Sequence, residues 1–319
     1  MKTQEKEKIF DFQLILILSF IFIIFVFWGC ASGDKGHYIR SVDEISENRV
    51  PYDFPDELTA DKLPEITSDE YEKLGDALLR KGNLHLAYMQ YERSLQLKPG
   101  NIRAEYKKGL ALLLGGKNDD AIGQFQKVLE KDRGFALAYE GLGRAFFQKK
   151  EYDQAETNLR KALKLNPKLW KAHNFLGNIY DYQKKYEKAA SEYKFALAVK
   201  FDEGVLYNNL GVSYSLVGKL EEAVEAFKEA IALKFTKSKV YNNLGLALAN
   251  LGRYSQALEA FKKGGGEARA YNNLGCIYLR QGKFEEAIRF FEKAIEIEPG
   301  FYARASENLN KAKAGKGQL

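Results

Sequence analysis

Residues 204–237 read GVLYNNLGVSYSLVGKLEEAVEAFKEAIALKFTK. In the first part of this stretch Tyr207, Leu210, Gly211 and Tyr214 stand at i, i+3, i+4 and i+7, which is one stripe of an α-helix. Farther on, Ala223, Phe227 and Ala230 make a matching stripe on a second helix. The small Gly211 and Ala223 let the two helices approach closely, and the bulky positions fill the space between one such pair and the next.

The same chemistry returns along the chain. Gly75, Gly109, Gly143, Gly177, Gly211 and Gly245 are spaced by 34 residues, and Gly275 follows after 30. Twelve residues beyond each stands an alanine (Ala87, Ala121, Ala155, Ala189, Ala223, Ala257, Ala287). Four further on comes an aromatic or leucine: Tyr91, Phe125, Leu159, Tyr193, Phe227, Phe261 and Phe291. Pro99, Pro167 and Pro299 mark the turn where one unit ends, and Pro51, Pro55 and Pro64 lie upstream of the repeats.

A 34-residue helix-turn-helix period with these fixed positions resembles the tetratricopeptide repeat family, over residues 68–301. The units are 68–101, 102–135, 136–169, 170–203, 204–237, 238–267 and 268–301. The resemblance implies an all-α chain: a right-handed superhelical α-solenoid of seven repeats, closed by a C-terminal capping helix within 302–319. That helix runs to about Lys313, places polar Asn308 where the repeat expects leucine, and leaves a fraying tail AGKGQL. Unit six is four residues short and carries Gly264, Gly265 and Gly266. Three glycines, each costing about 1 kcal/mol against alanine, are expected to end its second helix early. The segment reads as a tolerated deletion or as a hinge.

Upstream, residues 14–28 (LILILSFIFIIFVFW) carry no charge, follow Lys2, Lys6 and Lys8, and end at Gly29. The run is short of the roughly 20 residues of a comfortable membrane span and has the layout of a secretory signal. With Cys30, Ala31, Ser32 and Gly33 it resembles the bacterial lipoprotein signal, in relaxed forms most like those of spirochaetes. Phe27 and Trp28 depart from the usual pattern. The resemblance implies cleavage after residue 29 and lipidation of Cys30, with enough acyl chains for stable anchoring. The rival reading is an uncleaved single-span anchor. Both place residues 31–319 outside the cytoplasm, with the outer membrane favoured. Residues 30–67 read as an acidic tether: nine carboxylates against four cations over 31–67 give −5, which leaves +11 for 68–319 of a chain whose total is +6. Opposite charge would permit the tether to lie along the repeats at low salt.

The family places its concave face on first-helix positions 2, 5, 6, 9, 12 and 13. Those positions carry Asn174, Asn178, Asn208, Asn209, Asn242, Asn243, Asn272 and Asn273, beside Lys171, Lys239 and Arg269. An amide offers both a donor and an acceptor, which suits it to one peptide unit of an extended chain. The expectation is a protein partner held as an extended, acidic-apolar segment. Local helix–helix bonding by these asparagines is the competing reading. The paired Lys and Asn with which some family members clamp a C-terminal carboxylate are not matched, since Glu72 and Asp76 stand there.

Other classes are thinly supported. No phosphate-binding loop, nucleophile elbow or zinc-protease motif occurs, and two cysteines and three histidines leave little for a metal site. An enzyme, a cofactor, a bound metal and nucleic-acid binding are therefore not expected. His173 reads as a packed, hydrogen-bonded residue and Cys276 as a free, half-buried thiol. Two further readings are a small-molecule-binding component of a transporter, which a closed apolar pocket would favour, and a surface protein that meets a host.

Overall fold

The computed structural model describes residues 66–316. The signal segment, Cys30 and the tether as far as residue 65 lie outside the described residues. Within them the chain is helical throughout, without a strand, and no helix is long and apolar enough to cross a membrane.

Unit one is α1 (Ser68–Arg80) and α2 (Leu84–Leu97); unit two is α3 (Ile102–Leu114) and α4 (Asn118–Lys131). Unit three is α5 (Ala136–Gln148) and α6 (Tyr152–Leu165), and unit four is α7 (Trp170–Tyr182) and α8 (Tyr186–Val199). Then come α9 (Gly204–Leu216) with α10 (Leu220–Ala232), α11 (Ser238–Asn250) with α12 (Tyr254–Gly265), and α13 (Glu267–Arg280) with α14 (Phe284–Ile297). A short 3-10 turn, Pro299–Phe301, leads into α15 (Tyr302–Lys316). Each helix packs on the next in sequence, and the first helices of successive units also meet except between units one and two and between six and seven, while second helices do not meet to that extent. The stack is therefore a right-handed superhelical α-solenoid whose first helices line the inner face.

The glycine at the eighth position of each unit sets the spacing within each pair. A Cβ on Gly75, Gly177 or Gly211 would sit 2.5, 2.5 or 2.7 Å from the ring of Tyr91, Tyr193 or Phe227, and the other four units repeat the contact. All seven position-20 alanines are fully buried, as are Tyr91, Phe125, Leu159, Tyr193 and Phe291. The core is a succession of five apolar clusters along the units.

A position that the periodic reading passed over closes the turn inside each pair. Residue 15 has positive φ in every unit: glycine at 82, 116, 218, 252 and 282, but Lys150 (φ 64°) and Lys184 (φ 59°) in units three and four. A left-handed residue with a Cβ costs roughly 1–2 kcal/mol. Lys150→Gly and Lys184→Gly are each expected to raise stability by about 1 kcal/mol in urea unfolding; a loss would show that the lysine side chains supply a compensating contact.

Two expectations need correction. Helix α12 runs through Gly264 and Gly265, so only Gly266 interrupts the chain, at φ 85° and ψ 171°. Gly264 is buried because α11 passes so close that a Cβ would lie 2.7 Å from Asn242 Oδ1 and 3.1 Å from the Ser238 carbonyl. The closing helix does not fray after Lys313: it continues to Lys316, with Lys313 and Lys316 pairing to Glu292 and Glu285 at 3.6 and 3.1 Å. Asn308 is not merely solvating. Its amide donates to Asn272 Oδ1 at 3.0 Å, so α15 acts as the first helix of an eighth unit.

Candidate protein-interaction groove

At three junctions, between units one and two, four and five, and five and six, the inner face carries rungs between successive first helices. A residue at position 6 reaches back to positions 5 and 9 of the preceding unit. Between units four and five, Asn209 Nδ2 donates to Asn174 Oδ1 at 3.2 Å and to Asn178 Oδ1 at 3.4 Å. Between units five and six, Asn243 Nδ2 donates to Asn208 Oδ1 at 3.4 Å, and Asn208 donates to Asn209 at 3.3 Å. Tyr193 hydroxyl braces the first of these from below, 2.7 Å from Asn178 Oδ1 and 2.8 Å from Asp181.

Glu72 and Asp76, which set unit one apart, form the same rung in charged residues. Lys107, at position 6 of unit two, stands 2.6 Å from both carboxylates, while Asn101 donates to Glu72 and Tyr91 hydroxyl to Asp76. Burial raises the Glu72 pKa, but Lys107 and Asn101 outweigh it and hold the carboxyl below its ordinary value. Lys107 stands 35 and 31 residues after its two partners, the same offsets that separate Asn209 from Asn174 and Asn178. In unit three Glu140 is buried against Arg144 at 3.6 Å, and Arg144 lies 5.6 Å over the Phe175 ring. Desolvation raises the Glu140 pKa against the pull of Arg144 and Lys171.

Units three and four carry Gly141 and Phe175 at position 6 and form no such rung, and the one expected between units six and seven is also not formed. Asn242 Oδ1 is buried without a hydrogen-bond partner, and no bond joins Asn242 to Asn273 among the described residues. Unit six is four residues shorter than its siblings, and α11 and α13, like α1 and α3, are not among the first-helix pairs in close contact.

The site residues thus divide. Asn208 and Asn272 are buried. Asn174, Asn178, Asn209, Asn242, Asn243 and Asn273 are half-buried, several already committing a donor to the neighbouring unit. Lys171, Lys239 and Arg269, all at position 2, are exposed and have no carboxylate within ion-pair distance among the described residues. Lys171 rests 5.5 Å over the Trp170 ring. Half-buried Val205 occupies the same position between them, in unit five. His173 is half-buried, 2.7 Å from Glu192, and stacked on Phe195; Cys276 is a half-buried free thiol.

Asp181 is the acidic exception in this half of the groove. Burial raises its pKa, against hydrogen bonds from Tyr193 and Ser213, the latter at 2.8 Å. A raised folded-state pKa means that the folded state binds the proton more tightly than the unfolded chain. Stability from this group is therefore greatest below the unfolded pKa and falls as pH rises through the folded one. Asp181→Asn is expected to raise the Tm at pH 7, with the gap from wild type closing as pH falls; a gap that widens in acid would contradict it.

No group of His, Cys, Asp and Glu suited to a metal ion occurs among the described residues. The larger clefts, of about 730 and 540 Å³, lie between adjacent units and are lined by two second helices and the first helix between them. The first lies between α2 and α4, lined by His85, Tyr88 and Lys127; the second lies between α10 and α12.

Tetratricopeptide repeat models match residues 71–101, 106–156, 143–183, 205–235, 238–264 and 268–301. The Cut9 and Hcn1 hetero-tetramer of APC/C is similar over 76% of this chain and 49% of that one, at 22% identity and a TM-score of 0.55. PilF of Pseudomonas aeruginosa is similar over 67% of this chain and 96% of its own, at 23% identity and a TM-score of 0.51. YrrB, described as a TPR protein with an unusual peptide-binding site, matches 55% of this chain and 92% of its own, at 26% identity and a TM-score of 0.48. No curated protein sequence matches significantly.

Proposed function

The chain belongs to the tetratricopeptide repeat family, and from that premise we propose that it is a non-enzymatic adaptor, lipid-anchored at Cys30 outside the cytoplasm, whose groove takes an extended acidic-apolar segment of another protein. Stacked repeats of this family form a protein-interaction scaffold. The observation that carries the finer reading is the row of exposed cations, Lys171, Lys239 and Arg269, standing unpaired beside half-buried amides. A carboxylate on a partner would complete each one, and an amide with a spare donor or acceptor would hold the intervening main chain. Envelope assembly is the role we favour, on the strength of residues 14–30.

The test uses labelled synthetic peptides that alternate Asp or Glu with Val or Leu, compared with counterparts carrying Asn and Gln. The acidic peptide is expected to bind more tightly, to weaken as salt rises, and to lose roughly tenfold on Lys171→Glu, Lys239→Glu and Arg269→Glu together. Asn209→Ala, Asn243→Ala and Asn273→Ala should weaken both peptides while helicity holds. Equal binding of both peptides to wild type and charge-reversed protein would remove the acidic reading. Cross-linking and pull-down from native membranes with the same variants would then identify the partner. The anchor has its own readout: radiolabelled palmitate should enter the wild-type chain and not Cys30→Ser.

A further inference from the structure

The repeats supply their own controls for which positions are covered by a preceding unit. The cleft between units five and six is lined by Lys228 and Ile231 of α10 and, from unit six, by Tyr241, Leu244, Gln256, Glu259 and Lys263, that is by positions 4, 7, 19, 22 and 26 looking backward. Position 7 is 9% exposed or less in units three to seven, where it is always leucine. Positions 19 and 22, at the rim, carry no apolar side chain in units two to seven, from Asp120 and Gly123 through Glu222 and Glu225 to Glu286 and Arg289.

Unit one breaks both rules. Its position 7, Leu74, is 46% exposed, and its rim positions are Leu86 at 47% and Met89 at 38%; Ile66, just ahead of α1, is exposed at 51%. A terminal repeat ordinarily turns a polar face outward for solubility. The opposite end of the stack follows that rule, since α15 faces outward with Glu307, Lys311, Lys313 and Lys316. The stack therefore has one polar end and one apolar end, so a head-to-tail contact between copies would set apolar against charged.

We propose that the backward face of unit one is covered by the same face of a second copy, related by a two-fold axis parallel to α1 and α2. Charge decides the arrangement. The two helices run antiparallel, with Ser68 Oγ donating to the Ser94 carbonyl at 2.9 Å, so Glu70 near the start of α1 and Arg93 near the end of α2 share one end of the pair. Position 3 is a fully or almost fully buried Ala, Leu or Val in every other unit, yet here it is exposed Glu70, whose Oε2 accepts from the Thr67 N–H and hydroxyl in a capping box and whose Oε1 has no such partner among the described residues; Arg93 lies exposed, 5.9 Å over the Tyr71 ring. The two-fold axis lays α1 of each copy against α2 of the other and opposes Glu70 to Arg93 twice, with Leu74, Leu86 and Met89 enclosed in a four-helix bundle. It also places both Ile66 residues at one end of that bundle.

The experiment is photo-cross-linking of the full chain in detergent and in native membranes, with benzoylphenylalanine at position 86 or 89, and at position 225 as a control. The expected product is a covalent species of twice the chain mass from 86 and 89 and none from 225. It should be lost with Leu74→Glu or with Arg93→Glu, each checked for unchanged helicity. A cross-link from position 86 to residues 1–65 of the same chain, to a different protein or to nothing would overturn the proposal, as would a dimer that survives Leu74→Glu.

Discussion

Phe227→Ala is expected to lower stability by roughly 3–5 kcal/mol and to split a single unfolding transition into two. The ring is 1% exposed and lies in the largest apolar cluster, touching both its own first helix and unit six. In a stack held by nearest-neighbour contacts, a cavity at the junction of units five and six weakens that junction, so the units on either side melt separately. Gly211→Ala is expected to cost about 1–3 kcal/mol alone, because its new methyl would lie 2.7 Å from Phe227 Cε1. The two changes should not add. With the ring gone, the methyl introduced at position 211 has room, fills part of the cavity and gains about 1 kcal/mol of helix propensity over glycine. A double-mutant cycle in urea should give a coupling of about 2 kcal/mol or more. Additivity within about 0.5 kcal/mol would mean that the contact between Gly211 and the Phe227 ring does not set the helix spacing.

Those two residues belong to the part of the molecule that was plain in the sequence. The 34-residue spacing of Gly75 through Gly245 and the alanine and aromatic that follow each are side-chain volumes at fixed offsets, and volume at an offset survives translation into packing. The left-handed turns were not seen, since Lys150 and Lys184 hide a glycine position that five other units show openly. The groove was half legible. Its asparagines stand on first helices, as their spacing implies, but whether an amide faces a ligand or its neighbour depends on where the next first helix lies, which no single unit specifies. The signal was present as a spacing: 35 and 31 residues separate Lys107 from Glu72 and Asp76, as they separate Asn209 from Asn174 and Asn178. Glu72 and Asp76 looked like a missing clamp only while unit one was considered without unit two. The apolar Leu86 and Met89 were visible too, but their meaning required knowing which positions look backward.

The three adjacent glycines of unit six should respond to the same substitution in three different ways. Gly266→Ala is expected to cost about 1–3 kcal/mol, because φ 85° with ψ 171° is a region essentially closed to residues bearing a Cβ. Gly264→Ala should cost about as much for a different reason: its methyl would press on Asn242 Oδ1 and the Ser238 carbonyl, and the carbonyl cannot yield. Gly265→Ala should stabilise by up to about 1 kcal/mol, since it lies in α12 and its methyl meets only the flexible Arg269 side chain at 3.2 Å. The same geometry bears on whether this junction bends. Gly266 N–H donates to the Lys262 carbonyl at 2.9 Å and its own carbonyl accepts from Ala270 at 3.1 Å, so hydrogen bonds close on both sides of the single connecting residue. Lys262 adds an ion pair to Glu267 across the turn and another to Glu259 within α12. A connection with no spare residue is a fixed corner, and hydrogen exchange at 262–268 is expected to be as slow as at the other inter-repeat turns. Gly266→Ala should then accelerate exchange in α13 to α15 and leave α1 to α8 unchanged. Fast exchange at 262–268 in the wild-type chain would instead make the unformed Asn242–Asn273 rung a hinge, with unit seven swinging against the rest of the groove.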